Sequence, residues 1–127
     1  MGDANHARIV VLDSEPVVRS TVASILQHGG YAVEQADSVQ TAIEIVKNAP
    51  PDLLLTNVYL PGITGHEAMR LFKGIVPSLP VLMVSGLPDS DLIRRWAGED
   101  GFDTFPKPFT AQELLNKVRS MLPGRRD

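Results

Sequence analysis

The 127-residue sequence contains no cysteine, which removes disulfide frameworks, thiolate metal sites and a cysteine nucleophile at once. It also has no excess of basic charge. Twelve Lys and Arg against fifteen Asp and Glu leave a net charge of −3, which gives no general attraction for nucleic acid or an anionic membrane. The Arg125-Arg126 pair is too short to alter that and reads as a solvated tail. No apolar run approaches the ~20 residues that a membrane helix needs, and "MGDANHAR" lacks the apolar segment of a signal peptide. The expectation is a cytoplasmic protein without direct contact to nucleic acid or membrane. Repeats and low-complexity stretches are missing too, and the length fits one domain with a sizeable core.

What is present is an alternation. Short runs rich in branched residues are "RIVVL" (8–12), "YAVEQA" (31–36), "DLLLTN" (52–57), "PVLMV" (80–84) and the weaker "DTFP" (103–106). Stretches of helical period lie between them. Val18, Val22, Ile25 and Leu26 share one face behind Pro16, and Gly29-Gly30 ends that helix. Val39, Ala42, Ile43 and Val46 share another, which Pro50-Pro51 stops. Thr64/Glu67 and Thr110/Glu113 have capping-box spacing at the heads of two further helices. "DSDLIRRWAGED" (89–100) supplies the remaining one. Five βα units with short connections predict an α/β fold, a doubly wound five-stranded parallel sheet with five helices. The first, third and fourth runs are apolar nearly throughout, as strands covered on both faces must be. Residues 1–7 read as an N-terminal tail, 8–122 as the domain, and 123–127 as a C-terminal tail or linker stub.

Ligands of such sheets bind beyond the carboxyl ends of the strands. There the sequence puts Asp13-Ser14-Glu15, Asn57, Ser85-Gly86 and Lys107-Pro108. Each has a bland reading: Ser14 as a helix N-cap, Ser85 as the start of a loop, Lys107 as a surface charge paired with Asp13. Four polar groups at equivalent positions shift the balance towards a site.

The segments "VVLDSEPVVR", "PDLLLTNVYLPGITG", "PVLMVSG" and "FPKPFTAQELLNKVRSML" resemble the receiver domain of two-component response regulators. The likeness runs from about Arg8 to Leu122, with the motifs in family order. It implies a flavodoxin-like sheet of strand order 2-1-3-4-5. In that family an aspartate at the end of the third strand accepts a phosphoryl group from a histidine kinase. Mg²⁺ is held by that carboxylate, by two acids after the first strand, and by a backbone carbonyl two residues past the acceptor. By position the resemblance makes Asp13 the first acid, Tyr59 the carbonyl, Ser85 the hydroxyl and Lys107 the ammonium that contact the phosphoryl group. It also makes the bond before Pro108 cis. The face built from the fourth helix, fifth strand and fifth helix, with Arg94, Arg95 and Trp96, would be the partner surface and the route to a homodimer.

Two departures matter most. Asn57 stands where the acceptor aspartate belongs, and Ser14 where the second acid belongs. The nucleophile of this chemistry is a carboxylate oxygen, and a neutral amide oxygen is a far poorer one. Mg²⁺ is a hard cation usually held by carboxylates and water, and two of three side-chain acids are missing. Glu15 does not replace them, since the family commonly carries an acid there beside the usual pair. The aromatic switch residue, expected three before the lysine, is Thr104, with Phe105 one position later.

Elsewhere the signals are weaker. Asp89 and Asp91 serve a helix dipole, His66-Glu67 lacks the second histidine of a zinc site, and Met69 and Phe72 read as core. Three functions compete. The first is a receiver-like module that takes no phosphate at Asn57, needs no cofactor, performs no catalysis and works by binding a histidine kinase, another signalling protein or a linked output domain. The second is an ordinary phospho-accepting receiver whose acceptor was changed to Asn by design, against which the simultaneous loss of an acid at Ser14 speaks. The third, a flavodoxin-like small-ligand-binding protein, lacks a Gly-rich phosphate loop after the first strand.

Overall fold

Leu53, Leu54 and Leu55 point alternately to opposite sides of their strand, yet all three are buried. Such a strand is stable only inside a sheet that is covered on both faces. The computed structural model, which describes residues 7–57, 59–85, 103–106 and 109–122, has that architecture. In chain order it forms β1 (Arg8–Leu12), α1 (Pro16–His28), β2 (Ala32–Ala36), α2 (Val39–Asn48), β3 (Leu53–Asn57), β4 (Tyr59–Leu60), β5 (Ile63–Thr64), α3 (Gly65–Ile75), β6 (Val81–Ser85), β7 (Asp103–Pro106) and α4 (Ala111–Ser120). The main sheet has the order β2-β1-β3-β6-β7, and every neighbouring pair in it is parallel. Counted along the chain, that is the expected 2-1-3-4-5. The helix expected over 89–100, with Arg94, Arg95 and Trp96, lies outside the described residues, so four helices rather than five are described.

The strand alternation sorts the core into two layers. Val10, Leu12, Leu54, Val81 and Met83 pack with Ala42 and Val46 of α2 and with Ala68, Met69 and Phe72 of α3. Ile9, Val11, Leu53, Leu55, Leu82 and Val84 pack with Val22 and Leu26 of α1 and with Leu114 and Val118 of α4. β2 lies at one edge and is mostly exposed, in keeping with its Glu34 and Gln35. At the amino end of the sheet, Arg8 pairs with Glu34 and donates to the Ala49 carbonyl at 2.7 Å, which ties the α2–β3 connection to β1.

The helix ends follow the sequence signals. Both capping boxes form: Thr64 Oγ1 accepts from the Glu67 amide and Thr110 Oγ1 from the Glu113 amide, each at 3.0 Å. The two glutamates accept in return from the Thr64 and Thr110 amides at 3.0 and 2.8 Å. Gly29 caps α1, and Gly30 turns the chain at φ 95°, where a side chain would be strained. Two details differ from expectation. α1 is capped at Glu15, not at Ser14, and without a side-chain hydrogen bond from the cap residue. The segment after Asn57 is not a plain loop, because β4 and β5 pair antiparallel across Pro61-Gly62. Proline followed by glycine at φ 79° is the order of a type II turn, and buried Leu60 pins the hairpin to the core.

Phe72 is fully buried, so Phe72→Ala should lower stability by about 3–5 kcal/mol. Thr110→Ala, which removes only a cap, should cost about 1 kcal/mol. Urea unfolding of the two variants checks the contrast, with equal denaturant slopes if the unfolded state is unaffected.

Candidate functional site

Parallel pairing brings the carboxyl ends of the central strands level. Leu12 pairs with Thr56, Asn57 with Val84, and Ser85 with Pro106. The residue after Leu12 therefore falls in the row of Asn57, and Ser85 lies one row further out on the next strand. Asp13, Ser14, Asn57 and Ser85 thus share one end of the sheet. Thr104 and Phe105 are level with Met83 and Val84, so the switch positions lie on the neighbouring strand of the same end. Tyr59 begins β4 two residues past Asn57. Lys107 and Pro108 lie outside the described residues.

Asp13 is 6% exposed, and the backbone around it accounts for most of its polar atoms. Its amide donates to the Ala36 carbonyl at 3.1 Å, continuing the β1–β2 ladder past the last strand residue. Its Oδ1 accepts from the Glu15 amide at 2.9 Å, two residues on, which is an Asx turn. Its carbonyl accepts from the Arg19 guanidinium at 2.8 Å. The Asx turn does the work that the cap residue leaves undone. Glu15 makes no capping bond through its side chain, and Pro16 at the first helical position has no amide to satisfy. Ser14 sits half-buried in the bend between Asp13 and Glu15.

Asn57 is half-buried at the tip of β3. Thr56 before it is fully buried on the opposite face, and its hydroxyl donates to the Asn57 carbonyl at 3.2 Å. A buried hydroxyl needs such an acceptor. Neither this bond nor the Arg19 bond was legible in the sequence, because both depend on the twist of the chain beyond a strand end and not on periodicity.

Of the three side-chain positions at which the resemblance implies Mg²⁺ ligands, one carries a carboxylate, Asp13. Among the described residues no group of three or more His, Cys, Asp and Glu could hold a metal ion. Asp13 contributes one carboxylate, of which one oxygen already serves the head of α1. Ser14 and Asn57 are neutral, and hard divalent cations select for charge. No helix of the described residues is long and apolar enough to cross a membrane.

A sequence model described as "Response regulator receiver domain" matches residues 9–119. The response regulator MprA of Mycobacterium tuberculosis is 34% identical over 117 residues, covering 91% of this chain and 50% of that protein. MprA of Mycobacterium leprae shares 34% identity over the same length. The chain therefore spans about half the length of the curated relatives it matches. Among solved structures, a response regulator receiver domain protein from Clostridium thermocellum superposes with a TM-score of 0.84 at 26% identity, covering 91% of this chain and 94% of that one. The receiver domain of NtrX from Brucella abortus gives 0.85 at 27% identity, covering 91% and 98%.

Removal of the Asx turn by Asp13→Ala should cost about 0.5–2 kcal/mol in urea unfolding, the range for losing an N-terminal cap. Millimolar Mg²⁺ should leave the melting temperature of the unaltered chain unchanged, since a ligand stabilises only what it binds. Saturable stabilisation by Mg²⁺ at or below that concentration would show that other acids complete the site.

Proposed function

Because the chain belongs to the family of response regulator receiver domains, we propose that it is a receiver module that signals by protein–protein contact and takes no phosphoryl group at Asn57. The observation that carries the reading is the pair of neutral side chains at one strand end, Asn57 beside Ser14, with Asp13 the single acid of the three family positions. Receiver domains use Mg²⁺ when they are phosphorylated. Phosphoryl transfer to an aspartate forms a bond from a carboxylate oxygen to phosphorus while the donor's bond to phosphorus breaks. Metal ions and cations neutralise the charge on the transferring group. Asn57 offers no carboxylate oxygen, and Ser14 no charge for the metal. Ser85, Thr104, Phe105, Lys107 and Pro108 keep the family's order along the sequence, but on this reading they have no acyl phosphate to answer.

The partners this reading implies are those of the family: a histidine kinase, another signalling protein or a linked output domain. MprA is a response regulator, and its length beyond the match leaves room for such a linked domain there. The contact surface that this reading assigns would involve Arg94, Arg95 and Trp96, which lie outside the described residues, and the same residues would serve a homodimer. Natural divergence explains the site better than a designed acceptor change, since the latter has no reason to remove the acid at position 14 as well.

Acetyl phosphate should add no mass to the unaltered chain in intact-protein mass spectrometry. Asn57→Asp alone should label weakly, and Ser14→Asp with Asn57→Asp much more strongly, with effects far from additive because both residues act on one centre. Substitution of Arg94 or Arg95 should weaken partner binding without changing any labelling. Stable phosphorylation of the unaltered chain within the cleft would overturn the proposal. Efficient labelling of the Asn57→Asp single variant would indicate instead an acceptor lost by one isolated change.

A further inference from the structure

Arg19 lies one helical turn into α1, and its amide bonds to the Glu15 carbonyl at 2.8 Å in the regular helical manner. Its side chain does not run out into solvent. NH1 donates to the Asp13 carbonyl at 2.8 Å, and Nε to Gln35 Oε1 on β2 at 3.3 Å. The first bond returns to the turn that precedes the helix, and the second reaches across to the sheet edge. The guanidinium fork is planar and rigid, so two anchors in different elements fix its plane and, through it, the carbonyl that it holds. Asp13 is thereby gripped at three atoms: its amide by β2, its carboxylate by the head of α1, and its carbonyl by Arg19.

We propose that Arg19 is a positioning residue that locks the Asp13 turn, with Gln35 as its anchor, so that this end of the sheet keeps its shape without help from a metal ion. The inference goes beyond the signalling role and does not depend on it, since it concerns how the turn is held and not what docks there. A charged donor makes the stronger kind of hydrogen bond, and this one closes onto a residue that is nearly buried. The carbonyl of Asp13 can turn away only if the Asx bond to the Glu15 amide is also disturbed, because both belong to one residue in one bend. Loss of Arg19 should therefore be felt at the Glu15 amide, whose acceptor is Asp13 Oδ1 and not an atom of Arg19.

Amide hydrogen exchange on the full chain, read residue by residue by NMR without added metal, tests this. Arg19→Met keeps the aliphatic stem and removes the donors. It should speed exchange at the Glu15 amide by about tenfold through local opening, while the Leu54 and Leu114 amides in the two core layers keep their rates. Arg19→Lys can still donate to the Asp13 carbonyl and should recover most of the protection. Gln35→Ala, on an exposed edge strand where folding is not at risk, should give a smaller acceleration of the same amide alone. An unchanged Glu15 rate in Arg19→Met would overturn the proposal. Uniform acceleration across Glu15, Leu54 and Leu114, or no rescue by lysine, would do so as well, since either result reduces Arg19 to general stability.

Discussion

A strand that is apolar on both faces has nowhere to put a working side chain except beyond its own end. That constraint governs this molecule, because β1, β3 and β6 are all of this kind and stand side by side. Burying them requires helices on both sides, and the helices leave polar chemistry only the row in which the strands stop. The parallel register makes the strands stop together. Asp13, Asn57 and Ser85 are consequently neighbours although the first two are 44 positions apart in the chain and the second and third 28. The site is a by-product of core formation, and its location would be the same whatever residues occupied it.

What occupies it then decides the function. Three carboxylates at one strand end would repel one another, and like charges at close range favour protonation or a bound cation. A cation that holds such a cluster supplies both the chemistry and the cohesion. With Ser14 and Asn57 in place of two acids, the three positions carry one carboxylate and not three. The one acid that remains is used by the chain itself, as the cap that Glu15 fails to provide to α1. Strain or repulsion at a working site is the usual cost of function.

The elements that sequence made legible are those set by local rules or by burial. The two capping boxes, the glycine stop of α1 and the apolar faces of α1 and α2 were all readable from spacing alone. So was the interior rank of β1, β3 and β6, since continuous apolar runs admit no other place. The β4–β5 hairpin was not, because two residues a side are too few to show alternation. Ser14 was a reasonable cap by residue type, and the structure shifts the cap by one. Pro16 fixes the first helical position, and Glu15 must then precede it. The Arg19 and Thr56 bonds left no trace in the sequence. A side chain that reaches a backbone carbonyl around a bend obeys geometry that no period records.

On the proposed reading, a strand end with one acid and no acceptor carboxylate has a consequence for signalling. In a switch, a ligand shifts an equilibrium only by the difference in its affinity for the two states. A phosphoryl group has that leverage through new contacts to a hydroxyl and an ammonium, and both depend on its attachment to the strand tip. If no phosphoryl group attaches at Asn57, the Ser85 end of β6 receives no such bias through the register that joins β6 to β7. On that reading the surface presented to a partner is a constant of the fold. Regulation of such a module must come from outside its own pocket, through how much of the chain is present, what competes for its surface, or what it is joined to.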